Sequence, residues 1–154
     1  MSFLKFLKQI GVLDVIIFLF ILLFVYAATS KLIDYELFKA QIGNSPLIMQ
    51  HAKWMAWAVP ASEIIISAAF IVPRLLLPAL YASFFLMFTF TAYIAFILTF
   101  SPYLPCSCGG ILSSMGWSEH LIFNIGFTLL AVVGIILYNR KQKRDELKLE
   151  TINR

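Results

Sequence analysis

Charge is what this chain has least of. Asp, Glu, Lys and Arg make up 13% of its 154 residues against 61% hydrophobic ones, which excludes an ordinary water-exposed surface and leaves lipid as the solvent. Cysteine is nearly absent too, with Cys106 and Cys108 the only two. A pair excludes a disulfide framework, and Cys106-Ser107-Cys108 lacks the further Cys and His partners of a zinc site, so no metal is expected. A single redox pair is what remains. The net charge of +4 comes from residues at chain ends and in loops, with no basic face interleaved by aromatics, which excludes nucleic acid as a partner. Internal repeats and low-complexity segments are also lacking, and the length fits one integral membrane domain over residues 1–154.

What is present is a set of long apolar runs. A spanning helix needs about 20 mainly apolar residues, and four stretches approach or exceed that length: 10–28, 54–72, 75–100 and 117–138. The fold class expected is therefore all-α, a four-helix transmembrane bundle. Inside lipid each backbone amide must be satisfied within its own segment, so even the Thr- and β-branched-rich stretches read as helices. Pro60 should kink the second helix, while Pro78 falls in the first turn of the third and is tolerated there. Ser118 is the expected cap of the fourth, with Glu119 in its first turn. The tail 139–154 mixes both signs of charge at helical spacing and reads as a solvated continuation of that helix.

Nine of the twelve Lys and Arg lie on one side of these spans, and Lys31, Lys39 and Lys53 on the other. By the bias of positive charge toward the cytoplasm, both termini are expected there, in a multi-pass protein of the cell inner membrane. The first apolar run is too long for a signal peptide, and removing it would leave the loop after the third helix on the outer side in any case. Cys106 and Cys108 are thus expected in the oxidising compartment. Between the first and second spans, Leu32, Tyr35, Phe38 and Ile42 recur at three- and four-residue steps, with Lys31, Asp34 and Lys39 offset from them. An amphipathic interfacial helix and a polar surface loop both fit this stretch, and Gly43-Asn44-Ser45-Pro46 ends it.

Cys106 and Cys108 stand in a loop stiffened by Pro105 and loosened by Gly109 and Gly110. A bridge between residues two apart closes a small ring, gains little as a staple, and tends to the strained, easily reduced kind. That favours an exchangeable pair. Both sulfurs lie on one side with no cysteine at the other, so electrons must pass to a second redox protein outside, an extracytoplasmic thioredoxin-like partner or client, or to a lipid-soluble carrier of the quinone class. No motif in the sequence marks a quinone pocket. Polar residues inside spans are expensive and are functional candidates by default. Glu63 is the clearest, with Lys31 or His120 as partner; His120, close in sequence to the cysteine loop, is placed to trade protons during thiol chemistry. Asn124 suits a helix-to-helix hydrogen bond, and Asp14 an ion pair with Arg74.

Ser30-Lys-Leu-Ile-Asp-Tyr-Glu-Leu-Phe after the first span, Val59-Pro-Ala-Ser-Glu63 in the second, and Pro105-Cys-Ser-Cys-Gly-Gly together resemble the MauE/DoxX-like redox-associated membrane proteins, over nearly the whole chain. The resemblance implies a four-helix membrane fold and a role near disulfide chemistry, since MauE is associated with maturation of methylamine dehydrogenase, a periplasmic protein rich in disulfides. Cys106 and Cys108 match the family's paired cysteines, and Lys31 and Glu63 match recurrent polar positions. Gly109 stands where the MauE type would carry a bulkier residue, so the client of that protein does not transfer. Two readings of function stand open: a membrane thiol-disulfide oxidoreductase or redox-maturation protein using Cys106 and Cys108, and a non-catalytic subunit or assembly factor that binds another membrane protein.

Overall fold

The structure is a computed structural model that describes residues 11–45, 48–100 and 116–152. Among these residues it is all-α. α1 spans Val12–Ile33, α2 Tyr35–Gly43, α3 Ala52–Ile71, α4 Leu76–Phe100 and α5 Trp117–Ile152. Four of them, all but α2, are long and apolar enough to cross a membrane. Neighbours pack in the cyclic order α1, α3, α4, α5, with the α4–α5 and α1–α3 pairs the most extensive. The turn Pro73–Leu75 reverses the chain between α3 and α4 and leaves Arg74 exposed.

The bundle is apolar outside as well as inside. Phe18, Ile65, Phe85 and Leu129 point outward, where a soluble protein would carry charge; lipid makes that surface stable. Trp54, 78% exposed, and Trp57 stand at the start of α3, and Trp117, half-buried, opens α5. α3 and α5 run in the same direction, so all three tryptophans of the chain mark one end of the bundle, the level at which indole rings settle between lipid and water. Hydroxyls inside the spans turn back on their own helices. Ser67 donates to the Glu63 carbonyl at 2.9 Å, Ser83 to Ala79 at 2.8 Å and Thr91 to Met87 at 2.7 Å, which removes the cost of carrying them into lipid.

Away from the tryptophan end the packing is close. Phe20, fully buried, stacks on Phe70 at 6.1 Å between centroids and meets Phe127 edge-on at 5.5 Å. Such offset and edge-to-face pairs are the geometries that aromatic quadrupoles favour. Ile16, Leu80 and Ala131 complete this core. Gly134 lets α5 approach both α1 and α4: a methyl group there would lie 2.9 Å from Leu80 Cδ2 and 3.3 Å from Ile16 Cγ2. A small residue at a helix contact is the usual device for close approach in lipid.

Several expected details are corrected. α1 continues to Ile33 instead of ending near residue 28, so Lys31 lies in its last turn. Asp14 does not pair with Arg74; its carboxylate accepts the Gly11 backbone N–H at 2.9 Å, satisfying a donor at the helix start. Ser118 lies inside α5, and it is Glu119 that accepts the N–H of Gly116, just before the helix, at 3.0 Å. Asn124 donates along its own helix to the His120 carbonyl at 2.9 Å, and the polar contact between α4 and α5 is made by the hydroxyls of Thr91 and Thr128, 3.3 Å apart. The tail, as expected, continues α5 as a helix to Ile152.

Glycine positions give a direct check on this packing. A methyl group at Gly126 would meet nothing within 4 Å. Ala at either site gains the same helix propensity, so the difference between Gly134→Ala and Gly126→Ala isolates the clash with the buried Leu80. Thermal unfolding in detergent should find Gly134→Ala less stable than Gly126→Ala by about 1–3 kcal/mol.

Candidate functional site

α2 is a single short helix whose apolar face turns inward. Phe38 and Ile42 are buried against Ala56 of α3, with Tyr35, Met55 and Val59 packed around them. Tyr35 meets Trp57 at 5.0 Å between ring centres with the rings tilted by 41°, and Tyr93 of α4 donates to the fully buried Ser45 at 2.8 Å. The amphipathic spacing therefore forms a helix, and its apolar stripe covers protein at the tryptophan end of the bundle.

Beneath α2 lies a cavity of about 280 Å³ to which all five helices contribute. Its wall is mainly apolar, from side chains such as Phe24, Phe38, Met87 and Phe90, with polar groups at a few points. Lys31 enters from α1, Gln41 from α2, Glu63 from α3, and His120 and Asn124 from α5. Lys31 Nζ donates to Glu63 Oε1 at 2.8 Å and to the Ala27 carbonyl at 3.2 Å. It also lies 5.8 Å from the centre of the Phe38 ring, within cation–π range. Glu63 is 1% exposed and the Lys31 side chain 20%. Of the two alternatives for Glu63, the partner is Lys31; His120, half-buried, lines the same cavity.

A buried ion pair needs its remaining donors and acceptors met. Here one is not: Glu63 Oε2 is buried and accepts no hydrogen bond among the described residues, and the same holds for Gln41 Oε1. Gln41 is a residue the sequence reading missed. It falls three after Phe38, on the stripe that turns inward, so its spacing carried the signal and its polarity hid it.

Cys106 and Cys108 lie outside the described residues. The segment that carries them leaves α4 after Phe100 and returns at Gly116. Trp117, the next residue, and His120, one turn on, both line the cavity. The flanks of the cysteine segment thus stand at the end of the bundle where Lys31, Glu63 and His120 converge. Among the described residues no group of three or more His, Cys, Asp and Glu side chains could hold a metal ion.

Comparison with known proteins supports the MauE side of the resemblance. Residues 9–137 match the family described as Methylamine utilisation protein MauE, and the chain belongs to that family of membrane proteins. It matches no curated protein and no solved structure.

The pair itself can be weighed by substitution. Lys31→Met leaves the Glu63 carboxylate enclosed without its cation and should cost about 3–5 kcal/mol. Glu63→Gln keeps an oxygen for Lys31 and should cost less, while Lys31→Met with Glu63→Leu should recover most of the loss. Thermal unfolding of the three variants in one detergent checks that order.

Proposed function

We propose that this member of the MauE family is a redox-maturation protein of the cell inner membrane, with Cys106 and Cys108 exchanging disulfides with an extracytoplasmic thioredoxin-like protein or client. The observation that carries the reading is the meeting of two things at one bundle end. The flanks of the cysteine segment, at Phe100 and Gly116, adjoin the enclosed polar cluster of Lys31, Glu63 and His120. Titratable groups gathered in a cleft beside a thiol pair are what proton-coupled sulfur chemistry requires. The excess of Lys and Arg on the opposite side supports an outward-facing cysteine segment with both termini cytoplasmic.

The exchange balances without a further reagent. One Cys thiolate attacks a sulfur of the partner's disulfide, giving a mixed disulfide and releasing one partner thiolate. The second Cys then displaces the other, so Cys106 and Cys108 end joined and the partner leaves as a dithiol. Run backward, the same steps oxidise a client. His120 lies close in sequence to these sulfurs and can take or return the proton that each thiol loses. The family's description speaks of methylamine utilisation; maturation of a disulfide-bearing client fits it, and Gly109 is the reason the client itself is left open.

Replacing either cysteine singly by Ser should trap a mixed disulfide visible on a non-reducing gel and dissolved by dithiothreitol. The double variant should trap none and should lower client oxidation. Absence of any cysteine-dependent adduct, with client oxidation unchanged in the double variant, overturns the reading in favour of a non-catalytic assembly factor.

A further inference from the structure

Beyond its span α5 carries both signs of charge, and the helix sorts them. Trp117 opens α5 at one interface, and Tyr138 lies about 30 Å further along the axis, the thickness of a hydrocarbon core. The run Arg140-Lys-Gln-Lys-Arg144 therefore falls in the headgroup layer of the opposite leaflet, at the end of the bundle where Arg74 is exposed. With 3.6 residues to a turn, Arg140, Lys141, Arg144 and Lys148 share an arc of about 100° on the helix, and Glu146 and Glu150 stand on the far side. All six side chains are exposed.

This basic stripe has no partner within the protein. Outside the stripe, the residues three or four positions from Arg140 or Arg144 are Ile136, Leu137, Lys143 and Leu147, none of them acidic. Like charges at those spacings repel, so the stripe opposes its own helix. Asp145 lies four after Lys141 and three before Lys148, yet pairs with neither: the ion pairs among the described residues are Lys31 with Glu63 and Lys39 with Glu36. An anion laid along the stripe relieves the repulsion, and two guanidiniums one turn apart suit the oxygens of a phosphate.

We propose that Arg140 and Arg144 hold the headgroup phosphate of an anionic phospholipid in the leaflet at this end. Depth selects the lipid, because its phosphate already lies in the layer that these residues enter. Charge selects the anionic kind: a choline headgroup would bring its own cation beside Lys141 and Lys148, whereas a glycerol headgroup brings none.

Electron spin resonance of the full chain in phosphatidylcholine vesicles tests this, with trace spin-labelled phosphatidylglycerol or phosphatidylcholine reporting which lipid the protein holds. At low salt phosphatidylglycerol should be held about five- to tenfold more tightly, and inorganic phosphate at matched ionic strength should not compete. Arg140→Gln with Arg144→Gln should bring the ratio to within about twofold of unity. Lys39→Gln with Lys53→Gln removes the same charge at the other end and should leave the natural ratio, with circular dichroism checking that both variants stay helical. Equal loss of preference in the two variants shows attraction to net charge alone and overturns the proposal. A natural chain without preference, or a preference that survives loss of both arginines, overturns it as well. Competition by inorganic phosphate overturns the assignment to lipid.

Discussion

The hydrogen-bonded ion pair between Lys31 and Glu63 is the constraint around which this bundle is arranged. A lone charge inside a membrane is expensive, and a lone charge inside protein no less so. With Nζ and Oε1 2.8 Å apart, each residue fixes where the other's helix stands: the last turn of α1 must face the middle of α3. Lys31 also reaches the Phe38 ring, so α2 is drawn over the same point. This one contact ties α1, α2 and α3 together at the cavity.

The two halves of the molecule serve different ends. Toward one end, Phe20, Leu80 and Gly134 leave no space, and helix crossings are set by direct side-chain contact. Toward the other, three tryptophans mark the interface level and the interior opens into the cavity. The packed half supplies the rigidity that a site needs, and the open half supplies room and polar groups. The flanks of the cysteine segment stand at the open end, where, among the described residues, the interior holds a cation and a carboxylate together.

Much of this was legible in the sequence, for physical reasons that also explain the rest. Four long apolar runs define the spans because lipid permits few alternatives. Glu63 announced itself by standing deep in such a run. The end of the first helix was misplaced because Lys31 reads as a residue seeking water; paired with Glu63 it has no such need, and α1 continues past it to Ile33. Asp14 and Glu119 were visible as acidic residues in first turns, yet only coordinates show that each is used by a backbone N–H one turn back. Asn124 was expected to bridge helices, but short-range bonding along α5 wins and the bridge falls to Thr91 and Thr128. Gln41 was hidden because a polar side chain on an amphipathic helix is ordinarily assigned to the wet face. Cys106 and Cys108, the most telling residues of the sequence, lie outside the described residues, and their chemistry rests on spacing and on what adjoins their flanks.

In the proposed function the buried Glu63 carboxylate and the cysteine pair form one working unit reached from outside the cell. The most direct measurement is the redox state of Cys106 and Cys108 in intact cells, read with a membrane-impermeant thiol reagent before and after reduction, in the natural chain and in Glu63→Gln. Thiols that react from outside, with a ratio of joined to free forms that shifts in the variant while the protein remains folded, are what the account predicts. Sulfurs that react only from the cell interior, or a ratio indifferent to Glu63, would contradict it.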